Sequence, residues 1–223
     1  MEQMSKTGPR KSHLHAVYER YLESRDTVGF VYTVSKRYTA GTLQRLAAQP
    51  DPKVRCAAVL ALGYVGDFEV NHTVGRAMQD EDANVRLLAG TASRSVWNRA
   101  GGEAHRRQLA DTIRLNAARR YREAVGKATA LLDDFSNFAE AWYQRGSAWF
   151  QLDDFPQAIR DFHQAMELNP YQFVAAAAMG DAYLRLGNPV SALEAFRRAL
   201  RSNPDLHWVR DRVTQLARQV EGD

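Results

Sequence analysis

The chain repeats itself at an offset of 34 residues. Trp142, Gly146, Trp149, Ala158, Phe162, Ala165 and Pro170 are answered by Ala176, Gly180, Tyr183, Ala192, Phe196, Ala199 and Pro204. Inside the first copy, Ala141–Gln151 and Phe155–Leu168 place apolar residues three or four apart, the spacing of amphipathic helices. Gly146 and Ala158 lack bulk where two antiparallel helices must approach, and Phe162 and Trp149 fill the space that is left. Each well-buried ring is worth about 1.5–3 kcal/mol. Asn169–Pro170 and Asn203–Pro204 end the second helix, because proline cannot extend the hydrogen-bond ladder and disfavours a helical residue before it. A helix pair of this kind cannot bury its apolar side alone and must stack on neighbours.

This pattern resembles the tetratricopeptide repeat family, whose unit has this period. Arg145 departs from it, standing where a leucine is usual, while Met179 keeps that position apolar in the second copy. Subtracting the offset again gives Ala124, Ala128 and Leu131, so a degenerate pair is expected over Glu103–Asn116 and Arg119–Leu132. Beyond Pro204, Leu206, Val209, Val213, Leu216 and Val220 form the single apolar stripe of a terminal capping helix.

A second echo lies upstream. Asp51, Val54 and Arg55 recur as Asp82, Val85 and Arg86, an offset of 31, each followed by an Ala/Leu-rich run. This DxxVR pattern resembles HEAT repeats. Asp51 and Asp82 read as helix N-caps, with Pro52 at the first helical position. Arg55 and Arg86 share a face with their aspartates, so Asp–Arg pairs within and between units are expected. Thr42–Gln49 and Phe68–Met78 read as the short first helices, with Gly63 and Gly66–Asp67 marking the turn between units. RDTVGFVYTVSKRYTA fits either a strand or a helix, and in a helical chain the helix is preferred.

The expected fold is an all-α, right-handed helical-repeat solenoid. Residues 1–25 form a tail and a helix over Ser12–Ser24, and 26–100 a HEAT-like stack. Gly101–Gly102 is the boundary. Tetratricopeptide-like pairs then occupy 101–223: degenerate at 103–138, clear at 139–172 and 173–206, with a capping helix at 205–220.

Composition excludes more than it proposes. The longest apolar stretch, Val174–Met179, is too short to cross a bilayer, and MEQMSKTGPRKSHLH has no apolar core behind its charge. Cys56 is the single cysteine, which rules out an internal disulfide or a CxxC site. A cytoplasmic protein without membrane contact is expected. The net charge of +4 is unevenly spread: the basic excess lies in the first forty residues and a central collar, whereas 128–223 is acidic.

The tetratricopeptide resemblance implies that the first helix of each pair lines a concave wall. On that register the wall comprises Glu140, Tyr143, Ser147, Phe150 and Gln151, then Val174, Ala177, Asp181, Leu184 and Arg185, with Trp208 and Asp211 from the cap. Aromatic anchors beside carboxylates suit an extended peptide with apolar and basic side chains. Members that hold chaperone tails use Lys, Asn and Arg at set positions. Here those positions carry Tyr143, Ser147, Ala178 and Trp208, with only Arg212 basic, which argues against such a tail.

The collar of Arg106, Arg107, Arg114, Arg119, Arg120, Arg122 and Lys127 is the alternative surface, one for RNA or DNA phosphates. Its competing reading is the solvated outer faces of two helices. No catalytic motif of the GxSxG, GxGxxG, P-loop or HExxH kind is present, and no cofactor is implied. His13 and His15 read as a surface pair rather than a metal site, and Cys56 as a small buried apolar residue. HEAT-like repeats also occur in bilin lyases, but the few units and the tetratricopeptide half of this chain argue against that chemistry. The expected function is therefore a non-catalytic scaffold or adaptor for a protein or peptide partner.

Overall fold

A computed structural model describes residues 12–222, all helix and connecting turn, with no strand among them. The expected tail at 1–11 lies outside the described residues. The helices run in chain order as α1 (His13–Ser24), α2 (Thr27–Arg37), α3 (Ala40–Leu46), α4 (Pro52–Val65), α5 (Asn71–Ala77) and α6 (Ala83–Trp97). The second half adds α7 (Glu103–Ala117), α8 (Tyr121–Asp134), α9 (Ala139–Gln151), α10 (Phe155–Leu168), α11 (Phe173–Arg185), α12 (Pro189–Ser202) and α13 (His207–Glu221).

The ambiguous stretch is the helix α2. Asp26 caps it by accepting from the Gly29 amide, and Phe30 and Val34, one turn apart, both point into the core. Asp51 and Asp82 cap α4 and α6 by accepting backbone N–H bonds from Lys53, and from Asn84 and Val85. Gly63 does not mark a turn. It lies inside α4, where a Cβ would stand 2.7 Å from the Cβ of Ala92, so it permits the close crossing of α4 and α6.

In the second half, a Cβ on Gly146 would stand 2.9 Å from the ring of Phe162, and one on Gly180 would stand 2.7 Å from the ring of Phe196. The glycines and rings that share the 34-residue spacing are thus packing partners. The backbone keeps the same rhythm. Arg119, Asp153 and Gly187, each 34 apart, take φ of 59°, 60° and 70° in the turns α7–α8, α9–α10 and α11–α12. The sequence-degenerate pair shares the hairpin geometry of the clear ones.

Arg145 finds a partner that its sequence position does not announce. Its guanidinium makes a bidentate bond to Asp161 at 2.8 and 2.9 Å, donates to Thr129 Oγ1 and lies over the Trp142 ring. Asp161 is only 4% exposed, and burial raises its carboxyl above the usual range against the opposing pull of Arg145.

The two halves do not simply follow one another along a line. The HEAT-like end folds against the loops that join the tetratricopeptide hairpins. Trp97 Nε1 donates to Asn71 Oδ1 (2.8 Å), and Asn71 Nδ2 donates to Asn169 Oδ1 (2.9 Å). Trp97 and Phe173 meet edge to face at 5.5 Å. The ring of Tyr171 fills the space over Gly75, where a Cβ would come within 2.3 Å of it. Gln79 Nε2 donates to the Arg201 carbonyl, and Arg86 pairs with Asp205 at 2.9 Å. Phe173 accordingly belongs to the core of the first half.

The expected Asp–Arg pairing is corrected here. Arg55 bonds Asp80 and Glu81 rather than Asp51, and Arg86 bonds Asp205 rather than Asp82. The capping aspartates are already occupied by backbone amides at their helix starts.

Candidate functional site: a concave wall closed on one side by the HEAT-like half

Residues of α9, α11 and α13 meet at one surface of the second half. Between them a depression of about 230 Å³ is bounded by Tyr143, Phe173, Val174, Ala177, Ala178, Asp181, Leu206 and Trp208, with Arg94 reaching in from α6. Five residues expected from register thus converge: Tyr143, Val174, Ala177, Asp181 and Trp208. Trp208 is 48% exposed and meets Phe196 edge to face at 6.3 Å, so one edge is packed and the rest is open to a ligand.

The other expected residues have different situations. Glu140 is not available at the surface, since it is 7% exposed. Its Oε1 accepts from Gln144 Nε2 and its Oε2 from Gln172 Nε2, each at 2.8 Å. Burial pushes its carboxyl up to about 7, against the hydrogen bonds and the charge of Arg94. The buried Gln172 Oε1 has no partner among the described residues. Reversing that amide would let it accept a proton carried by Glu140. Burial, followed by Glu140, raises the Tyr143 hydroxyl.

Asp181 pairs with Arg212 at 3.3 Å, and burial raises its carboxyl as well. Ser147 donates to the Tyr143 carbonyl at 2.9 Å. Phe150 and Arg185 form a separate cluster at the far end of the hairpin: Phe150 packs on Phe155, and Arg185 covers Phe155 while pairing with Asp153 at 2.7 Å. Leu184 is half-buried, and Gln151 and Asp211 are exposed. Two of the three carboxylates expected to attract basic side chains, Glu140 and Asp181, are therefore engaged within the protein, while Asp211 is exposed.

The expected wall lacked Arg94, Phe173, Ala178 and Leu206. Phe173 sits one residue before Val174 and Leu206 two before Trp208, at the helix starts. Arg94 belongs to the other repeat set, and no spacing in the sequence links it to the wall.

In the collar, Arg107 pairs with Glu103, Arg114 with Asp111 and Arg120 with Glu123. Lys127 stands 3.5 Å from Asp111, and Arg106 the same distance from Asp67. Arg119 and Arg122 are exposed on the α7–α8 turn and α8. Five of its seven cations thus have a carboxylate partner.

The histidines separate rather than pair. His13 bonds the Tyr38 hydroxyl at 3.1 Å, while His15 is buried between Asp51 and Glu19, so the expected surface pair does not form. Cys56 is buried, and burial raises its thiol to about 11. Among the described residues, no three His, Cys, Asp or Glu side chains gather as metal ligands, and no helix is long and apolar enough to cross a membrane.

Tetratricopeptide repeat models match residues 139–172 and 174–206, and a HEAT repeat model matches 39–131. The chain therefore carries both kinds of helical repeat, in the order its sequence suggests. The HEAT match runs past Gly101–Gly102 into α8, whose turn keeps the hairpin register. Superkiller complex protein 3 of Homo sapiens is 32% identical over 65 residues, 29% of this chain and 4% of that protein. Tetratricopeptide repeat protein 33 of Mus musculus is 27% identical over 156 residues, 65% of this chain and 59% of that one. The chain thus spans less than two thirds of the length of these relatives. Among solved structures, the first tetratricopeptide domain of Spaghetti (RPAP3), bound to the HSP90 peptide SRMEEVD, superposes with a TM-score of 0.50 at 20% identity. It covers 52% of this chain and 93% of that one, a likeness of fold. Such stacked repeats build the extended concave surfaces of protein-interaction scaffolds.

Proposed function

We propose that this chain is a non-catalytic adaptor that takes an extended segment of a protein partner on the concave wall of α9, α11 and α13. The observation that carries this reading is the depression among Tyr143, Val174, Ala177, Ala178 and Trp208, an apolar floor with a half-open tryptophan at its rim. Buried aromatic anchors ringed by polar groups are where binding energy concentrates.

The ligand of the solved neighbour is not carried over. The clamp positions hold Tyr143, Ser147, Ala178 and Trp208, and Arg212, the one cation, is already bonded to Asp181. Phosphate binding at the collar is the weaker reading, because most of its cations would have to share or break their carboxylate pairs. The HEAT-like unit here carries out packing against the second half, which is no support for lyase chemistry.

A photo-crosslinking residue placed at Ala178 in the native host tests the proposal. A discrete crosslinked protein segment is expected, lost when Tyr143→Ala and Trp208→Ala are combined. Crosslinks that persist unchanged in that double variant, or none at all, would reject the wall as the binding surface.

A further inference from the structure

The groove has a second wall that belongs to the other repeat set. Along α6, Arg86, Gly90 and Trp97 turn toward the hairpin loops. Arg86 bonds Asp205, a Cβ on Gly90 would stand 3.5 Å from Asn203 Nδ2, and Trp97 meets Phe173. Val85, Ala89, Ala92 and Val96 lie about a third of a turn away, in the HEAT-like core that Trp97 also joins. At about 100° per residue, Leu87, Thr91, Arg94 and Asn98 fall on one stripe beside the docking face. All four are exposed, Leu87 by 69%. Arg94 fixes which side that stripe faces, because it lines the same depression as Trp208.

Charge sets the kind of ligand. Glu140 is buried, and Asp181 is bonded to Arg212. The Arg94 guanidinium rests over the Phe173 ring at 5.8 Å and pairs with no carboxylate among the described residues. Its charge reaches the buried Glu140 only at longer range, so among the described lining residues it is the cation without an ion pair and the one left for a ligand. Asp211, one turn past Trp208 and outside the lining, carries the opposite sign, so a ligand's carboxylate lies on the α6 side.

We propose that α6 and the concave hairpin wall form one channel for an acidic–apolar peptide, whose carboxylate meets Arg94 while its apolar side chain enters the depression against Trp208. This rests on the concave wall being the peptide surface and assigns its ligand chemistry.

The test is a random-peptide display selection on the full chain, followed by affinity measurements with the enriched peptides made synthetically. Enrichment of Asp or Glu beside a large apolar residue is expected. Those peptides should bind about tenfold more weakly to Arg94→Glu, the size of one lost charge contact. Leu87→Glu, far from any buried contact, should weaken them in the same direction. Unchanged thermal unfolding of both variants certifies the fold. Amidating the peptide C-terminus assigns the carboxylate: loss of binding marks a chain end, and retention marks a side chain, each within the proposal. Peptides without acidic residues, or ones that need Trp208 but are indifferent to Arg94→Glu and Leu87→Glu, would overturn the second wall and leave the adaptor reading standing. Failure to enrich any peptide, or binding indifferent to Trp208→Ala, would overturn both.

Discussion

Helices α4 and α6 begin alike and end in different company. In α4, Arg55 donates to the carbonyls of Gln49 and Pro50 and makes a bidentate bond to Asp80, in the loop between the two helices of the next HEAT-like unit. In α6, Arg86 repeats the bonds to the loop behind it, at the carbonyls of Asp80 and Glu81. Its carboxylate is Asp205, which lies between α12 and α13. The hairpin loops therefore occupy the place of a third HEAT-like unit. The difference also shows in burial: side-chain exposures are 8% and 13% for the first pair, and 21% and 34% for the second. A rung inside a stack is dry, whereas the rung across the seam is half wet.

The largest expected effect breaks the dry rung. Asp80→Ala leaves the Arg55 guanidinium with only the exposed Glu81 and two loop carbonyls and should cost about 3 kcal/mol in denaturant unfolding. Asp161→Ala, which strands Arg145 in the other half, should cost a similar amount. If either variant unfolds like the wild type, buried pairing is not what holds its half together.

Next comes a pH effect centred on buried Glu140 of the second half. The folded-state carboxyl of Glu140 stands at about 7, above its ordinary value of 4.5. Between those values the folded chain binds more protons than the unfolded one, so stability falls as pH rises through that window. The full cost, about 3 kcal/mol, is present above the folded value. Glu140→Gln should therefore gain about that much on the wild type between about pH 4 and about pH 8. Urea unfolding of both proteins across that range measures it, and parallel curves would show that Glu140 ionises freely.

The smallest effect sharpens the comparison. Arg86→Ala should cost only about 1 kcal/mol, as partly solvated pairs do. A loss as large as that of Asp80→Ala would mean that the seam is as tightly built as a repeat interior.

Much of this architecture was legible in the residues. The 34-residue spacing sets the hairpins because Gly146 and Gly180 admit the rings of Phe162 and Phe196, both contacts local in sequence. Asp51 and Asp82 announce helix starts for the same reason, since a cap bonds amides two or three residues away. Among the wall residues, Tyr143, Val174, Ala177, Asp181 and Trp208 were reached by counting along helices.

What counting could not reach was the seam. Asn71 with Asn169, Trp97 with Phe173 and Arg86 with Asp205 join residues 76 to 119 positions apart. No periodicity within either repeat set relates them. Their meeting follows from which exposed stack end finds a complementary surface, and that depends on the whole chain being folded. Arg94 enters the groove for that one reason.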